Sequence, residues 1–551
     1  MDTLSKNDAV ANLLKRALER PCHIEDRSPG KPRIAIVNSF MEYSPGDAHL
    51  LRLAQKVKEG IASEGGTSVE IFIPGFCGEL KKNASVRKYY FAYRDFATAM
   101  VEFLVGFHDF DGAVFLCTCD NQVPAFVLGA LRVDLPCVFV TGGYMSPGKH
   151  NGQDITAFSV AKQYGRFQSG ECTRAELDEM VQSACPTCGA CPELGTANTM
   201  CILTEALGLS MTGCSTLPAE SERLDDLAYL SGKQIIECVR ADRRPRGIVT
   251  KSSLLNAIRT CLAMGGSTNA VIHLIAYARE IGADIGLDDW DALSETTPLV
   301  CAISPNQKGF YMNRLDEIGG LTPVLKVLEP LLDLTCGDVA GRTLGERLAN
   351  VQPVYDQILR PLDAPFSEQG GLIILKGNLA PDGGILKVSS IHQGLRRFTG
   401  KAIVFDCEEA GMDFVISRKA KKGDVLIVRY EGPCAGPGSR ECVSILHALV
   451  GQGLQNDVAV VTDGRLSGTN LGLAVCNISP EAIKGTAMAL VENGDTVEID
   501  IENKRINVLL SEAELQERKR KWCPPEPKVK TGILALYGRS VSQLSEGARI
   551  I

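Results

Sequence analysis

The sequence predicts an α/β fold with an N-terminal doubly wound domain on a parallel sheet and a C-terminal, mainly β, barrel-like domain. Short apolar runs alternate with helical stretches in the first third, as in parallel sheets buried on both faces. Beyond residue 350, short strands alternate with Gly-, Pro- and Asp-rich turns. The 551 residues exceed one ordinary domain, so we predict domains at residues 1–350 and 351–551.

Each N-terminal strand is a continuous apolar run, and helical patterns connect the strands. The strands are predicted at 33–40, 68–76, 112–117 and 136–143. Residues 196–285 are predicted to be mostly helical, as in "TANTMCILTEALGLSM" and "SSLLNAIRTCLAMGGSTNAVIHLIAYAREIG". C-terminal strands are predicted in "GGLIILKGNLAPDGGILKVS", "GKAIVFDCEEA", "KKGDVLIVRYEG", "DVAVVTDGRLSG" and "NGDTVEIDIENKRINVLLS".

Composition and charge exclude several classes of function. The net charge is −8 and there is no long Lys/Arg run, which argues against nucleic-acid binding. No segment reaches the roughly 18 consecutive apolar residues of a membrane span. The N-terminus is charged and helix-like and lacks a secretory apolar core. We therefore expect a cytoplasmic protein whose 20 cysteines stay reduced, most of them as small buried side chains.

Cysteines follow two of the predicted N-terminal strands. Cys77 comes after the second strand, and "CTCDN" after the third holds Cys117, Cys119 and Asp120. Ligands of open α/β sheets bind beyond the carboxyl ends of the strands, so Cys77 and Cys119 are expected at one sheet edge. We expect Cys117 to be a buried strand thiol and Cys119 to be a candidate metal ligand.

A third group of cysteines, in "ACPTCGACPELGTANTM", has C-x₂-C-x₂-C spacing. Thiolates this close in Gly/Pro loops suit zinc or iron–sulfur ligation. A ferredoxin run needs a fourth cysteine where Gly195 stands, and a second C-x₂-C pair for structural zinc is missing. One cysteine from this group with Cys77 and Cys119 would instead form a three-thiolate cluster site with an open iron, as Lewis-acid chemistry requires.

Two glycine-rich loops, "YEGPCAGPGSRE" and "TDGRLSGTNLG", follow apolar strands in the second half. Glycine permits close approach of the backbone to a ligand, although both loops are also compatible with tight turns. Ser467 is a candidate nucleophile or base if its pKa is lowered. "GGSTNA" precedes a helix that could seat an anion at its N-terminus. His273, in an apolar helix, is expected in the core.

These segments, in this order, resemble the dihydroxy-acid dehydratase and phosphogluconate dehydratase family, which includes sugar-acid dehydratases. The likeness covers nearly the whole chain and is specific for family rather than for substrate. It is carried by "FDGAVFLCTCDNQVPA", "CPTCGACPELGTANTM", "ALGLSMTGCSTLPA", "MGGSTNAVIHLIAYARE", "GGLIILKGNLAPDGGILK", "YEGPCAGPG", "TDGRLSGTNLGLAVCNISPEA" and the C-terminal "WCPPEPKVKTGILALYGRSVSQLSEGA".

The resemblance implies an iron–sulfur hydro-lyase that converts a 2,3-dihydroxy carboxylic acid to a 2-oxo acid, as a homodimer or homotetramer. It implies a cluster held by three cysteines, usually with a nearby Mg²⁺, a serine base for the C2 proton and a small hydroxy acid as the partner molecule. Residue by residue, it assigns Cys119 and Cys191 to the cluster, Ser467 as the base, and Asp120 and Glu441 as metal ligands. We also assign substrate contacts to Arg465, Gly468, Thr469 and Ser267.

The chain departs from the family pattern at three positions. Gly46, in "SPGDAH", stands where dihydroxy-acid dehydratases usually carry the first cluster cysteine, and we expect Cys77 to replace it. Asn121 and Ser85 stand where relatives place metal-binding residues, so Mg²⁺ binding should be weak or absent. The cations of the same loop, Lys81, Lys82, Arg87 and Lys88, are candidates to bind the substrate carboxylate instead, or form a solvated loop.

The sequence leaves alternatives open. The substrate is a branched-chain dihydroxy acid of amino-acid biosynthesis, a sugar acid (aldonate), or a hydroxy acid from a specialised pathway. The cluster is [4Fe–4S] or [2Fe–2S], and use of Cys77 favours [4Fe–4S]. A non-catalytic paralogue with a decayed metal site is a second class of function, and a zinc or thiol-redox protein built on Cys185 and Cys188 is a third.

Overall fold

The structure, a computed structural model, describes residues 6–22, 31–168, 170–392, 394–469 and 471–550. The first five residues of the predicted N-terminal helix lie outside the described residues. In the described part of the chain, no helix is both long and apolar enough to cross a membrane.

The N-terminal half contains a four-stranded sheet with the order β2-β1-β3-β4, and all its neighbouring strands are parallel. Every residue of β1, β3 and β4 is buried, whereas the edge strand β2 is half-buried. The predicted parallel sheet is confirmed. Its strands are β1 (Arg33–Asn38), β2 (Thr67–Phe72), β3 (Gly112–Cys117) and β4 (Cys137–Thr141).

Helices cover both faces of this sheet. From β1 the chain adds β2 on one side of the sheet, and it then crosses back over β1 to add β3 and β4 on the other side. Because such crossovers are right-handed, the helix between β1 and β2 lies on one face and the next two connecting helices lie on the other. The helix between β1 and β2 packs against a later helix, Glu222–Arg240, and the two helices that follow β2 and β3 pack against each other. The first four helices are α1 (Lys6–Glu19), α2 (Leu50–Ser63), α3 (Lys88–Gly106) and α4 (Gln122–Val133).

The rest of the N-terminal half is mainly helical, as predicted. The mostly helical segment 252–282 forms two helices, because Gly265 adopts a left-handed conformation with a φ of 59° and ends the first, and the second begins after "GGST" as predicted. After a short hairpin of β5 (Gly148–His150) and β6 (Gln153–Ile155) come α5 (Ala157–Gln168), α6 (Arg174–Ser183), α7 (Thr196–Ala206), α8 (Glu222–Arg240), α9 (Pro245–Ile248), α10 (Lys251–Met264), α11 (Asn269–Glu280), α12 (Leu287–Glu295), α13 (Met312–Glu317), α14 (Leu321–Val327) and α15 (Leu344–Leu348).

The C-terminal half contains an eight-stranded mixed sheet with the order β14-β13-β9-β10-β11-β12-β8-β7. The two edge strands, β7 and β14, almost meet. Lys376, just after β7, forms an isolated backbone β-bridge with Arg505, at the start of β14. This confirms the barrel-like prediction. The strands are β7 (Ile373–Leu375), β8 (Gly383–Leu386), β9 (Arg397–Phe405), β10 (Asp424–Val428), β11 (Ala459–Thr462), β12 (Ala474–Ser479), β13 (Thr496–Asp500) and β14 (Arg505–Val508).

Strands β9 to β12 are parallel, and helices connect the first three of them. These helices are α16 (Glu408–Ile416) and α17 (Val443–Gly451), and the later helices are α18 (Ala487–Leu490), α19 (Glu512–Lys521) and α20 (Gly532–Ser540). One apolar cluster fills the barrel. A larger one runs from the N-terminal sheet through α10 and α11 to α17 and β11, so both halves share a core.

Candidate active site

The candidate site lies at the carboxyl ends of β1 and β3, where the strand order of the N-terminal sheet reverses. Ligands of open α/β sheets bind at such a point because the two adjacent loops leave toward opposite faces. The loop after β1 carries Gly46, and the loop after β3 carries Cys119 and Asp120. The site is completed by loops from the C-terminal half.

A single cavity collects most of the residues that the sequence singles out. Neither Ser267 nor Gly468 lines it, but both contact residues of its wall. The Ser267 Oγ lies 2.8 Å from the Thr196 Oγ1, and a Cβ on Gly468 would lie 3.0 Å from the Gly195 Cα. The predicted site residues that line the cavity are Cys77, Cys119, Asp120, Cys191, Glu441, Arg465, Ser467 and Thr469. The other residues of its wall are Gly78, Glu79, Arg87, Tyr90, Phe158, Glu193, Gly195, Thr196, Ala197 and Asn198.

Gly46 contacts Cys119 directly. A Cβ built on Gly46 would lie 2.1 Å from the Cys119 Sγ and 3.8 Å from the Gly189 carbonyl oxygen. No side chain fits at Gly46 while the Cys119 thiol keeps this orientation. Position 46, which lacks the expected first cluster cysteine, is therefore next to the Cys119 thiol of the cavity.

The Cys191 loop is held by the first turn of α7. The Asn198 Nδ2 donates to the Cys191 carbonyl at 2.6 Å and to the Glu193 carbonyl at 2.8 Å. Of the three closely spaced cysteines, only Cys191 lines the cavity, while Cys185 is exposed and Cys188 is half-buried outside it. Asn198 was not singled out from the sequence, although it lies in the quoted "TANTM" segment.

Cys77 reaches the same cavity from the loop after β2 and is half-buried. Burial raises the pKa of its thiol, while the backbone N–H groups of Glu79 and Leu80 act in the opposite direction. N–H groups directed at sulfur stabilise a thiolate and are common around iron–sulfur clusters. Cys77 therefore has surroundings suited to a ligand.

The three thiols are close enough to influence one another. Burial raises the pKa of Cys119 and of Cys191 well above the usual range, and the charge of Cys77 adds to both shifts. Uncharged, buried thiols are poor nucleophiles, and they ionise when a metal centre binds them. In the part of the chain that the structure describes, no three His, Cys, Asp or Glu side chains converge tightly enough for a single metal ion.

Asp120 and Glu441 form a carboxylate pair in the same cavity. Burial and then repulsion from Glu441 raise the pKa of Asp120 to about 8, and Arg465 partly offsets this. The Glu441 Oε1 accepts from Asn269 Nδ2 at 2.8 Å and from Arg465 Nη1 at 3.4 Å. The buried Asp120 Oδ1 and Arg465 Nη2 have no hydrogen-bond partner among the described residues. One carboxylate oxygen and one guanidinium nitrogen are thus free to bind a ligand.

Asn121 and Ser85, which stand where relatives place metal-binding residues, are not part of the Asp120–Glu441 pair. Asn121 is buried and donates through Nδ2 to the Tyr90 carbonyl at 2.9 Å. Ser85 is exposed and bonds to Asn83. Of the four cations in that loop, only Arg87 lines the cavity, where it contacts both oxygens of Glu79 at 3.2 Å.

Ser467 lies on the turn after β11. The Thr469 backbone N–H and Oγ1 lie 3.3 Å and 3.1 Å from the Ser467 Oγ, as donors to it. Donors directed at a hydroxyl oxygen stabilise its alkoxide. The turn itself is held by Thr268 Oγ1, which donates to the Leu466 carbonyl at 3.0 Å, and by Lys387 Nζ, which donates to the Gly468 carbonyl at 2.6 Å.

Lys387 is 2% exposed, and burial lowers its pKa to about 7 from 10.5. Between those pH values the unfolded chain binds one more proton than the folded chain, so this lysine makes stability rise with pH, by about 1.4 kcal/mol per pH unit at most. Below pH 7 its full destabilising effect is present. We expect Lys387→Met to remove this pH dependence. The difference in the free energy of unfolding between variant and wild type, the stability gap, should therefore change between pH 7 and 10.

Urea unfolding under anaerobic conditions at several pH values measures that gap. Lys376→Met, at a lysine whose side chain is 43% exposed, is the control for replacement of a lysine by methionine outside the buried site. A pH-independent gap for Lys387→Met would contradict a lowered pKa.

Comparison with other proteins decides the family. The N-terminal model of the dihydroxy-acid/6-phosphogluconate dehydratases matches residues 31–347, and the C-terminal model matches residues 357–548. The chain belongs to the dihydroxy-acid/6-phosphogluconate dehydratase family. This confirms the resemblance found in the sequence.

Relatives of this family match the chain along almost its full length. A dihydroxy-acid dehydratase of Pyrococcus abyssi is 40% identical over 549 residues, covering 98% of this chain and 99% of the relative. One of Carboxydothermus hydrogenoformans is 41% identical over 536 residues, or 97% of each chain. One of Aquifex aeolicus is 38% identical over 535 residues, covering 97% of this chain and 96% of the relative.

Proposed function

We propose that this member of the dehydratase family is a hydro-lyase that converts a small 2,3-dihydroxy carboxylic acid to a 2-oxo acid, as a dihydroxy-acid dehydratase does. The observation that carries the proposal is the cavity in which three thiols, a carboxylate pair and Ser467 meet. Full-length identity of about 40% to proteins named dihydroxy-acid dehydratase supports it.

The proposed reaction is an elimination that needs a base at C2 and a way to remove the C3 hydroxyl. Ser467, as the alkoxide, takes the C2 proton, and the Thr469 donors offset the cost of the charged oxygen. The C2–H electron pair forms the C2–C3 double bond as the C3–O bond breaks. The released hydroxide takes the proton from the Ser467 hydroxyl and leaves as water, which restores the alkoxide. The enol then tautomerises to the 2-oxo acid.

Arg465 is proposed to bind the substrate carboxylate through its unpartnered Nη2. A guanidinium held in place by Glu441 and by the Ser439 carbonyl orients a carboxylate in a fixed plane. This places C2 toward Ser467. Asp120 and Glu441 are the proposed Mg²⁺ ligands, with water and substrate completing the coordination, and the Arg465 ion pair weakens this binding.

Cys77, Cys119 and Cys191 are the proposed ligands of an iron–sulfur cluster. When bound, such a cluster with one open iron supplies Lewis acidity to the leaving C3 hydroxyl. The residues fit this group because three thiols face one cavity and Cys77 also has two N–H groups nearby. A choice between [4Fe–4S] and [2Fe–2S] rests on the use of Cys77, which favours [4Fe–4S].

The proposal extends to assembly and setting. We propose a cytoplasmic enzyme of amino-acid biosynthesis, of sugar-acid metabolism or of a specialised pathway, and its 20 cysteines, all of them free thiols, support a reducing compartment. We propose a homodimer or a homotetramer, supported by an exposed apolar stripe on α3. The stripe consists of Met100 and Phe103 together with Phe107, which directly follows the helix and is 84% exposed.

Anaerobic purification followed by iron, sulfide and product analysis tests the function. We expect several irons and sulfides per chain, and 2-oxo acid from 2,3-dihydroxy-3-methylbutanoate or from an aldonate. A panel with both substrates separates the branched-chain and sugar-acid alternatives. Iron-free protein after anaerobic reconstitution, or stoichiometric zinc without sulfide, would overturn the proposal. Iron-loaded protein that forms no 2-oxo acid would support the non-catalytic alternative.

A further inference from the structure

A second cavity of about 180 Å³ adjoins the candidate active site. We call it the annexe. Most of its wall is apolar, and the polar side chains are few. It is lined by Phe158, Ala161, Glu193, Ser304, Pro305, Leu446, His447, Val450, Gly451, Thr469 and Leu471.

The annexe and the active-site cavity share three wall residues, Phe158, Glu193 and Thr469. Phe158, on α5, packs edge-on against His447, on α17, with ring centroids 6.0 Å apart. The annexe therefore lies between a helix of each half of the chain. It begins at Thr469, the residue that contacts the Ser467 Oγ.

The distribution of polar groups sets the direction of a bound acid. Arg87, Asp120, Glu441 and Arg465 line the active-site cavity and not the annexe. A carboxylate and its neighbouring hydroxyl are bound at that polar end. With C2 beside Ser467, the carbon chain beyond C3 points toward the shared wall and the annexe.

We infer that this enzyme takes 2,3-dihydroxy acids with an extended apolar substituent at C3, longer than methyl or ethyl, and that the annexe holds this substituent. The inference rests on the proposed function and names its substrate class. The annexe has the volume of about six water molecules at roughly 30 Å³ each, enough for several methylene groups.

The far end of the annexe opens toward the surface. Ala161, His447 and Gly451 also line a wider, solvent-open groove. A substituent longer than the annexe therefore protrudes into water and gains no further apolar burial. This sets an upper limit to the benefit of added length.

A chain-length series tests the inference. The probes are 2,3-dihydroxy-3-methyl acids in which the second C3 substituent grows from methyl to hexyl at fixed stereochemistry. We expect kcat/KM to rise about fourfold for each added methylene and then to level off, as apolar burial in the annexe becomes complete. A flat or falling series would overturn the inference. No 2-oxo acid from any member would overturn the proposed function as well.

Gly451→Leu tests the location. Gly451 ends α17 and lines the annexe, and a Cβ there meets no atom within 4 Å, so a larger side chain fits at this part of the wall. We expect kcat/KM of the longest acids to fall about tenfold or more, with the methyl acid changed less than about twofold. Gly247→Leu, at another glycine with open space around its Cβ and outside both cavities, is the matched control. An equal loss for all acids in Gly451→Leu would overturn the assignment of the annexe.

Discussion

Ser467→Ala is expected to lower kcat by about 10²- to 10⁴-fold, because it removes the proposed base while leaving the thiols and carboxylates in place. The Ser467 Oγ is the only atom of the side chain that this change deletes, and its partners are the Thr469 N–H and Oγ1. Iron and sulfide content should equal that of the wild type. Single-turnover and steady-state assays of 2-oxo acid formation measure the loss.

Thr469→Ser is the control for Ser467→Ala. It keeps a hydroxyl and the backbone N–H, so we expect activity within about tenfold of the wild type. Ser467→Ala with more than about a tenth of wild-type kcat would show that another group takes the C2 proton. A loss of iron in this variant would instead indicate a structural role for the serine.

Cys77→Ala is expected to abolish activity and to remove most of the iron. The thiol is half-buried at the cavity wall, and with it removed only Cys119 and Cys191 remain of the proposed ligands. Two thiolates hold a cluster poorly because three protein ligands are needed to leave one iron open and the others saturated. Iron, sulfide and visible absorbance of the anaerobic protein measure this result.

Cys185→Ser is the matched control for Cys77→Ala. Cys185 is exposed and does not line the cavity, so iron content and activity should stay close to wild type. Full iron content in Cys77→Ala together with a loss in Cys185→Ser would assign the third ligand to the C-x₂-C-x₂-C segment. That result would contradict the replacement of the missing cysteine at Gly46 by Cys77.

The N-terminal sheet could be predicted because its signal is local. Strands β1, β3 and β4 are buried on both faces, which makes them continuous apolar runs. The break between α10 and α11 could be predicted from Gly265 and Gly266 in "GGSTNA", whereas the apolar pattern of these two buried helices gives no break. Strand β12, in "AVCNIS", was missed because it follows a glycine-rich loop without a clear turn before it.

The site could be predicted where chemistry is carried by residue type. Cysteines at strand ends and a serine in a glycine-rich loop stand out in the sequence. Partners that only hold these residues do not stand out, since their contacts join distant positions. Asn269 reaches Glu441 from 172 residues away, and Lys387 reaches the carbonyl of Gly468 from 81 residues away. Such pairs follow from packing, which the one-dimensional pattern does not contain.

The apolar core that runs through both halves bears on how this protein can be divided. Two family models meet between residues 347 and 357, which invites expression of the halves as separate modules. Yet the buried cluster of the N-terminal sheet continues into Ile445, Leu449 and Val460 of the C-terminal half. Cutting the chain there would expose an apolar face on each fragment. For protein engineering, the unit to transplant or recombine is therefore the whole chain. The junction between the two family models separates two stretches of sequence but not two independent cores.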